Sequence, residues 1–254
     1  MPHKKTQKPN KSISQLKTWW EDFKHISYID ARWVAVWLTI YLGFLSLDIV
    51  FPKYWGSSLL KYAGIFLCII YAYRKFHSDN KLIIALLFTF LADTILVWTT
   101  NYTMGVFVFC FAQYMHFIRL TKISKKSILI FTATISILII INAIQGNIII
   151  YPLATLYALL LIGNCITSIQ RNHENPNDFK NRCAKYGFIL FVLCDAYVAL
   201  RFLMINGIIG VFAFPLIEYL VWVFYYPSQV LLANSSTHKE KTKSTTVAKT
   251  HPIS

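Results

Sequence analysis

Two aspartates stand in the middle of apolar stretches: Asp93 in LAD at 91–93 and Asp195 in LCD at 193–195. A carboxylate at the centre of a membrane helix costs on the order of 2.5–3.5 kcal/mol, so such residues face a bundle interior or a wet cavity and mark function. Two close carboxyls in an apolar setting can share one proton, one serving as acid and the other as carboxylate. The chemistry open to such a pair is proton transfer, in acid–base catalysis or in proton-coupled transport. Other polar side chains fall in the same stretches. Gln113, His116, Tyr157, Asn164, Glu218, Tyr225 and Gln229 are candidates to line the site. Arg201, six residues past Asp195, is a candidate to pair with an acid or hold a phosphate. For any single Tyr, Asn or Gln the plainer role is a helix–helix hydrogen bond. His116 taken alone reads as a satisfied interior histidine, and Asp48 as a carboxylate solvated at the membrane interface.

The elements that must position these residues are apolar. Of 254 residues, 56% are hydrophobic and only 14% charged, with a mean hydropathy of +0.49. Soluble domains carry roughly 25% charged residues, so a soluble globule and a long disordered chain are both excluded. Eight apolar segments lie near 33–50, 59–73, 82–98, 103–118, 127–144, 147–168, 183–205 and 210–233. They predict an all-α, polytopic membrane bundle of eight transmembrane helices. The first apolar run begins at residue 33 without a small-residue cleavage pattern, so no signal peptide is expected. The expected organisation is a basic arm at 1–32, a transmembrane domain at 33–234 and a disordered Lys/Ser/Thr-rich tail at 235–254. In the arm, Ile13, Leu16, Trp20 and Phe23 recur at helical spacing. That pattern fits an interfacial helix or a plain solvated arm. The short connections at 99–102, 145–146 and 206–209 leave no room for a soluble catalytic domain, so the chemistry must lie within the bundle.

Charge sets the expected orientation. If the segments alternate, 22 of the 25 Lys and Arg fall on one side: in the arm, in the loops after segments two, four and six, and in the tail. Lys53 and Lys61 fall on the other side, and Arg201 within segment seven. By the positive-inside rule both termini are expected in the cytoplasm, here of a bacterial inner membrane. The net charge of +14 then belongs to topology and anionic lipid headgroups, and no nucleic-acid partner is expected. The five cysteines form no C-x-x-C and no zinc spacing and read as small buried side chains. No H-E-x-x-H or similar spacing is present, so neither metal nor cofactor is expected.

An internal repeat connects the two acids. LAD at 91–93 precedes GVFVFCFAQY at 105–114, and LCD at 193–195 precedes GVFAFPLIEY at 210–219. Four segments separate the copies, so two parallel four-helix halves are expected, with Asp93 and Asp195 brought together by an axis along the membrane normal. Gln113 and Glu218 are counterparts in this alignment. Pro215 reads as the break in segment eight.

In these residues the chain resembles the YhhN/lysoplasmalogenase family of eight-helix membrane proteins, over about 35–235. The family's third-helix Gly-Asp and apolar run is similar to Ala92-Asp93-Thr94-Ile95-Leu96. Its next helix is led by Gly, as by Gly105, and carries a His and then a Tyr where Gln113 and His116 stand here. Its seventh-helix Ser-Asp and Arg-Phe resemble Cys194-Asp195 and Arg201-Phe202, and its last-helix Tyr-Tyr and Gln resemble Tyr225-Tyr226 and Gln229. The resemblance implies hydrolysis of the vinyl-ether bond of a lysoplasmalogen to a fatty aldehyde and a glycerophosphodiester. Lysophospholipid and membrane lipids are then the expected partners, Asp93 and Asp195 the catalytic pair, and Arg201 a phosphate ligand. Gln113 in place of His implies altered chemistry, a compensating role for His116, or a member that binds lipid without catalysis. A proton-coupled carrier remains the competing expectation.

Overall fold

The computed structural model describes residues 31–51, 55–99, 101–121, 129–131, 133–137, 140, 150–205, 207 and 214–236, with the backbone alone at 214 and 215. The long helices are α1 Ala31–Val50, α2 Trp55–Phe76, α3 Asn80–Trp98, α4 Tyr102–Leu120, α5 Ile150–Glu174, α6 Phe179–Ile205 and α7 Phe214–Ala233. Seven helices are long and apolar enough to cross a membrane, and no strand occurs among the described residues. The chain is an all-α, polytopic integral membrane protein. Seven of the eight expected segments correspond to these helices; the fifth is helical where described, at 129–131, 133–137 and 140. Residues 1–30 and 237–254, including the Ile13–Phe23 pattern, lie outside the described residues.

Side-chain contacts fix the directions of the helices. Lys61 reaches Asp48 near one end of α1 and α2, and Trp33 packs on Tyr71 near the other, so these helices are antiparallel. In α3 and α4, Lys81 Nζ donates to the Ile118 carbonyl at 3.2 Å, while Leu96 packs on Gly105. These two are also antiparallel. By contrast, α4 and α5 run in the same direction: Cys110 lies against Leu153, Gln113 against Asn164 and Leu120 against Arg171. The fifth apolar segment lies in the sequence between these two parallel helices.

The distribution of residues is inverted relative to a soluble core. Leu38, Leu42, Phe66, Leu87, Leu91, Ile162 and Ile166 face outward, whereas Thr89, Gln113, His116, Asn164, Ser168 and Gln229 are wholly buried. Lipid solvates the former at no cost, and only neighbouring helices can satisfy the latter. Lys81, Arg119 and Arg171 gather at one end of the bundle, hereafter the basic end. Ser235 and Ser236, assigned to the tail by composition, are buried there. Arg119 donates to the Ser235 hydroxyl at 3.0 Å, and Ser236 donates to Asp79, the N-cap of α3. Those contacts hold Ser235 and Ser236 in place past the end of α7.

Prolines in α7 differ from the expectation. Pro215 is the second residue of the helix, where a missing N–H leaves no bond unmade. The interior break is Pro227, which cannot bond the carbonyl four residues back, at Val223. Tyr41 Oη donates to that carbonyl at 3.0 Å and so repairs the gap from α1. Close to this point, α7 approaches α2 over Gly64, where no side chain intervenes before the Tyr226 ring.

Candidate active site

Carboxyls between apolar helices need donors, and tyrosines supply them here. Tyr225 on α7 donates its hydroxyl to Asp93 on α3, and Tyr157 on α5 donates to Asp195 on α6. Tyr62 on α2 donates to the main-chain carbonyl of Asp93 at 3.0 Å. The two carboxyls interact electrostatically, and Tyr225 interacts likewise with Tyr157 and Cys194, so the two acid–tyrosine pairs form one site. An aromatic wall joins them: Phe191 lies 5.6 Å from Tyr225 and 6.3 Å from Phe109, and Phe109 lies 5.6 Å from Tyr157 (ring centroids). Asp93 is 9% exposed and Asp195 half-buried.

Toward the basic end a neutral polar layer follows. Residues four apart on a helix stack on one face, so Thr89 lies one turn inward of Asp93, Gln229 one turn inward of Tyr225, and Gln113 one turn inward of Phe109. Asn164 Nδ2 donates to the Gln113 carbonyl at 2.9 Å and to Gln113 Oε1 at 3.0 Å. One turn further in, His116 packs edge-on against Phe188, and its Nδ1 lies 3.2 Å from the Arg119 guanidinium. Arginine can only donate, so Nδ1 accepts and the imidazole proton sits on Nε2.

Toward the opposite end a charged layer follows. Arg201 contacts Glu218 Oε1 through Nε at 3.0 Å and Nη2 at 2.9 Å. Lys61 contacts Asp48 at 2.7 Å, and Ser57 donates to the same carboxylate. The Lys61 ammonium lies 4.8 Å from the centre of the Trp222 ring and within electrostatic reach of Glu218. Trp222 in turn packs on Tyr225 at 5.5 Å, which joins this layer to the acids. Among the described residues no group of three or more His, Cys, Asp or Glu is arranged to hold a metal ion.

The fold and the site together define a polytopic membrane protein with a paired-carboxyl, tyrosine-supported centre inside its helix bundle. The YhhN family matches residues 56–236, and the chain belongs to that family. Membership of that family, which is associated with lysoplasmalogenase activity, suggests a lysoplasmalogenase-like membrane protein. No curated protein and no solved structure matches the chain.

Of the residues singled out by sequence, Asp93, Asp195, Tyr157 and Tyr225 come together at one level. Gln113, His116, Asn164 and Gln229 lie inward of them, and Arg201 and Glu218 outward. The aligned Gln113 and Glu218 are therefore not equivalent in depth. The cause is helix length: α6 continues ten residues past Asp195, whereas α3 continues five past Asp93, so α7 starts further out than α4. Asp48 is an ion-pair partner, with a side chain 18% exposed, rather than a solvated carboxylate. Sequence reasoning missed Lys61, Tyr62, Thr89, Trp222 and the aromatic wall. For Lys61 a signal existed: a lysine inside an apolar run follows the rule that singled out Arg201.

Proposed function

We propose that this protein hydrolyses the vinyl-ether bond of lysoplasmalogens, releasing a fatty aldehyde and a glycerophosphodiester. The observation that carries the reading is the placement of Asp93 and Asp195 about one aromatic enclosure, each carboxyl fixed by a tyrosine hydroxyl. The protonated carboxyl donates to the β-carbon of the alkene, leaving an oxocarbenium ion on the α-carbon and ether oxygen. The second carboxylate and the ring faces stabilise that cation. Water adds to the α-carbon and gives a proton to the carboxylate. The hemiacetal then collapses: its hydroxyl proton passes to the first carboxylate, and the second carboxyl protonates the ether oxygen, which departs as the glycerol hydroxyl. One water is consumed and no redox change occurs.

The outer charged layer suits the polar head. Six helical residues separate Asp195 from Arg201, a rise of about 9 Å. Six single bonds and the alkene double bond from a phosphorus to the vinyl β-carbon span about the same length. Lys61 and Arg201 then hold the phosphate, while the fatty chain lies against the aromatic wall. With both termini cytoplasmic, this layer faces the outer leaflet of a bacterial inner membrane. Lys61→Gln and Arg201→Gln are accordingly expected to raise KM about tenfold each while kcat stays within twofold, since they bind ground and transition states alike. A fall in kcat at constant KM would remove them from the headgroup.

The test of the reading is aldehyde release by detergent-purified protein from lysoplasmalogen, beside the saturated alkyl-ether analogue. Release from the vinyl ether alone supports it, because the alkyl ether has no alkene to protonate. A specific feature favours the second reading, a proton-coupled carrier: Pro227 interrupts α7 two residues from Tyr225. Substrate flux into liposomes without aldehyde would establish that reading instead.

A further inference from the structure

We infer that the neutral polar layer between the acid pair and the basic end is the binding site for the hydrolytic water, so that water and lipid reach the acids from opposite sides. This rests on the hydrolase reading and assigns its second substrate. Thr89, Gln113, His116, Asn164 and Gln229 are each 0% exposed. Each also carries a polar atom without a protein partner: Thr89 Oγ1, Gln113 Nε2, His116 Nε2, Asn164 Oδ1 and Gln229 Oε1. Ten buried polar atoms among the described residues lack a protein partner, and five of them fall in this layer, although such atoms are almost always paired. Their chemistry is complementary. Gln113 Nε2 and His116 Nε2 are donors, and Asn164 Oδ1 and Gln229 Oε1 are acceptors. The Asn164 amide is oriented by its two bonds to Gln113 oxygens, which leaves Oδ1 as its free end. The Thr89 hydroxyl serves as either. A small molecule that both donates and accepts, with two to four partners, satisfies such a set, and that molecule is water.

The layer is also in register with the acids. Its members come from α3, α4, α5 and α7, three of which carry Asp93, Tyr157 and Tyr225. Thr89 and Gln229 lie one turn, about 5.4 Å, inward of the Asp93–Tyr225 bond, so a water bound by them lies on the inward side of that pair. From Gln113 the polar file runs through His116 and Arg119 to Ser235 at the basic end. The apolar alkenyl chain has no use for these atoms, and the charged head is matched at the other end.

The experiment is hydroxyl-radical footprinting of the full chain in detergent, with 18O-labelled water, beside kinetics of Thr89→Val and Asn164→Leu. His116, although wholly buried, is expected to be labelled, whereas the equally buried Phe44 is protected. Thr89→Val, which replaces a hydroxyl by a methyl, is expected to lower kcat about tenfold with KM within twofold. Asn164→Leu is expected to do so as well and to reduce labelling at His116. Protection of His116 equal to that of Phe44 would overturn the water site. Labelled His116 with unchanged kcat in the Thr89 variant would reduce the water to a structural role and overturn the proposal. Labelling in a protein that releases no aldehyde would leave a hydrated layer but remove the hydrolytic role along with the hydrolase reading.

Discussion

Asp93→Asn and Asp195→Asn are each expected to lower aldehyde release by about 1,000-fold or more, because in the proposed hydrolysis each removes a carboxyl that gives or takes a proton at the reacting atoms. The replacement keeps side-chain volume, and an amide oxygen still accepts from Tyr225 or Tyr157, so the bundle remains intact. Thermal unfolding in detergent, measured beside the turnover, checks that point. The double variant is expected to be no slower than either single one, because the two carboxyls act as one unit. Turnover retained in both single variants would sink the assignment. Tyr225→Phe and Tyr157→Phe remove only the hydroxyl that orients each carboxyl, so smaller losses follow.

The second large effect is structural and lies where α2 meets α7. A Cβ at Gly64 would come within 2.3 Å of Tyr226 Cε2 and 2.9 Å of its hydroxyl. The Tyr226 ring cannot yield easily. It is 2% exposed, stacks on Tyr41 at 5.6 Å and meets Phe44 edge-on at 5.3 Å. Gly64→Ala is therefore expected to destabilise the bundle by about 1–3 kcal/mol, as overpacking does, read as a lower Tm in detergent. Since Tyr225 is the next residue along, displacing α7 also moves its bond to Asp93. A shift of about 1 Å there is expected to cost turnover up to 100-fold. Gly163 is the control, with nothing within 4 Å of its Cβ position, so Gly163→Ala should leave Tm and turnover unchanged. Equal effects at the two glycines would show that close approach at Gly64 matters less than helix flexibility.

Much of this was legible in the chain before folding. Apolar length and sparse charge demand membrane helices, and the sidedness of Lys and Arg counts them. Seven of the eight expected segments are membrane-length helices among the described residues. Asp93 and Asp195 stand out because a carboxylate in an apolar run has a steep cost that only a purpose offsets. Those are one-dimensional properties, set by composition and spacing. What the tertiary structure decided is which polar residue meets which. Tyr157 and Tyr225 were visible as polar marks on their helices, yet nothing in sequence says that one serves Asp195 and the other Asp93. The extra length of α6 carries Glu218 outward to Arg201, while its aligned partner Gln113 lies inward on Asn164. Lys61 becomes a site residue only because α1, α2 and α7 bring Asp48 and Trp222 around it. Helix rotation and relative depth arise from packing between segments distant in sequence, and no spacing within a single segment encodes them.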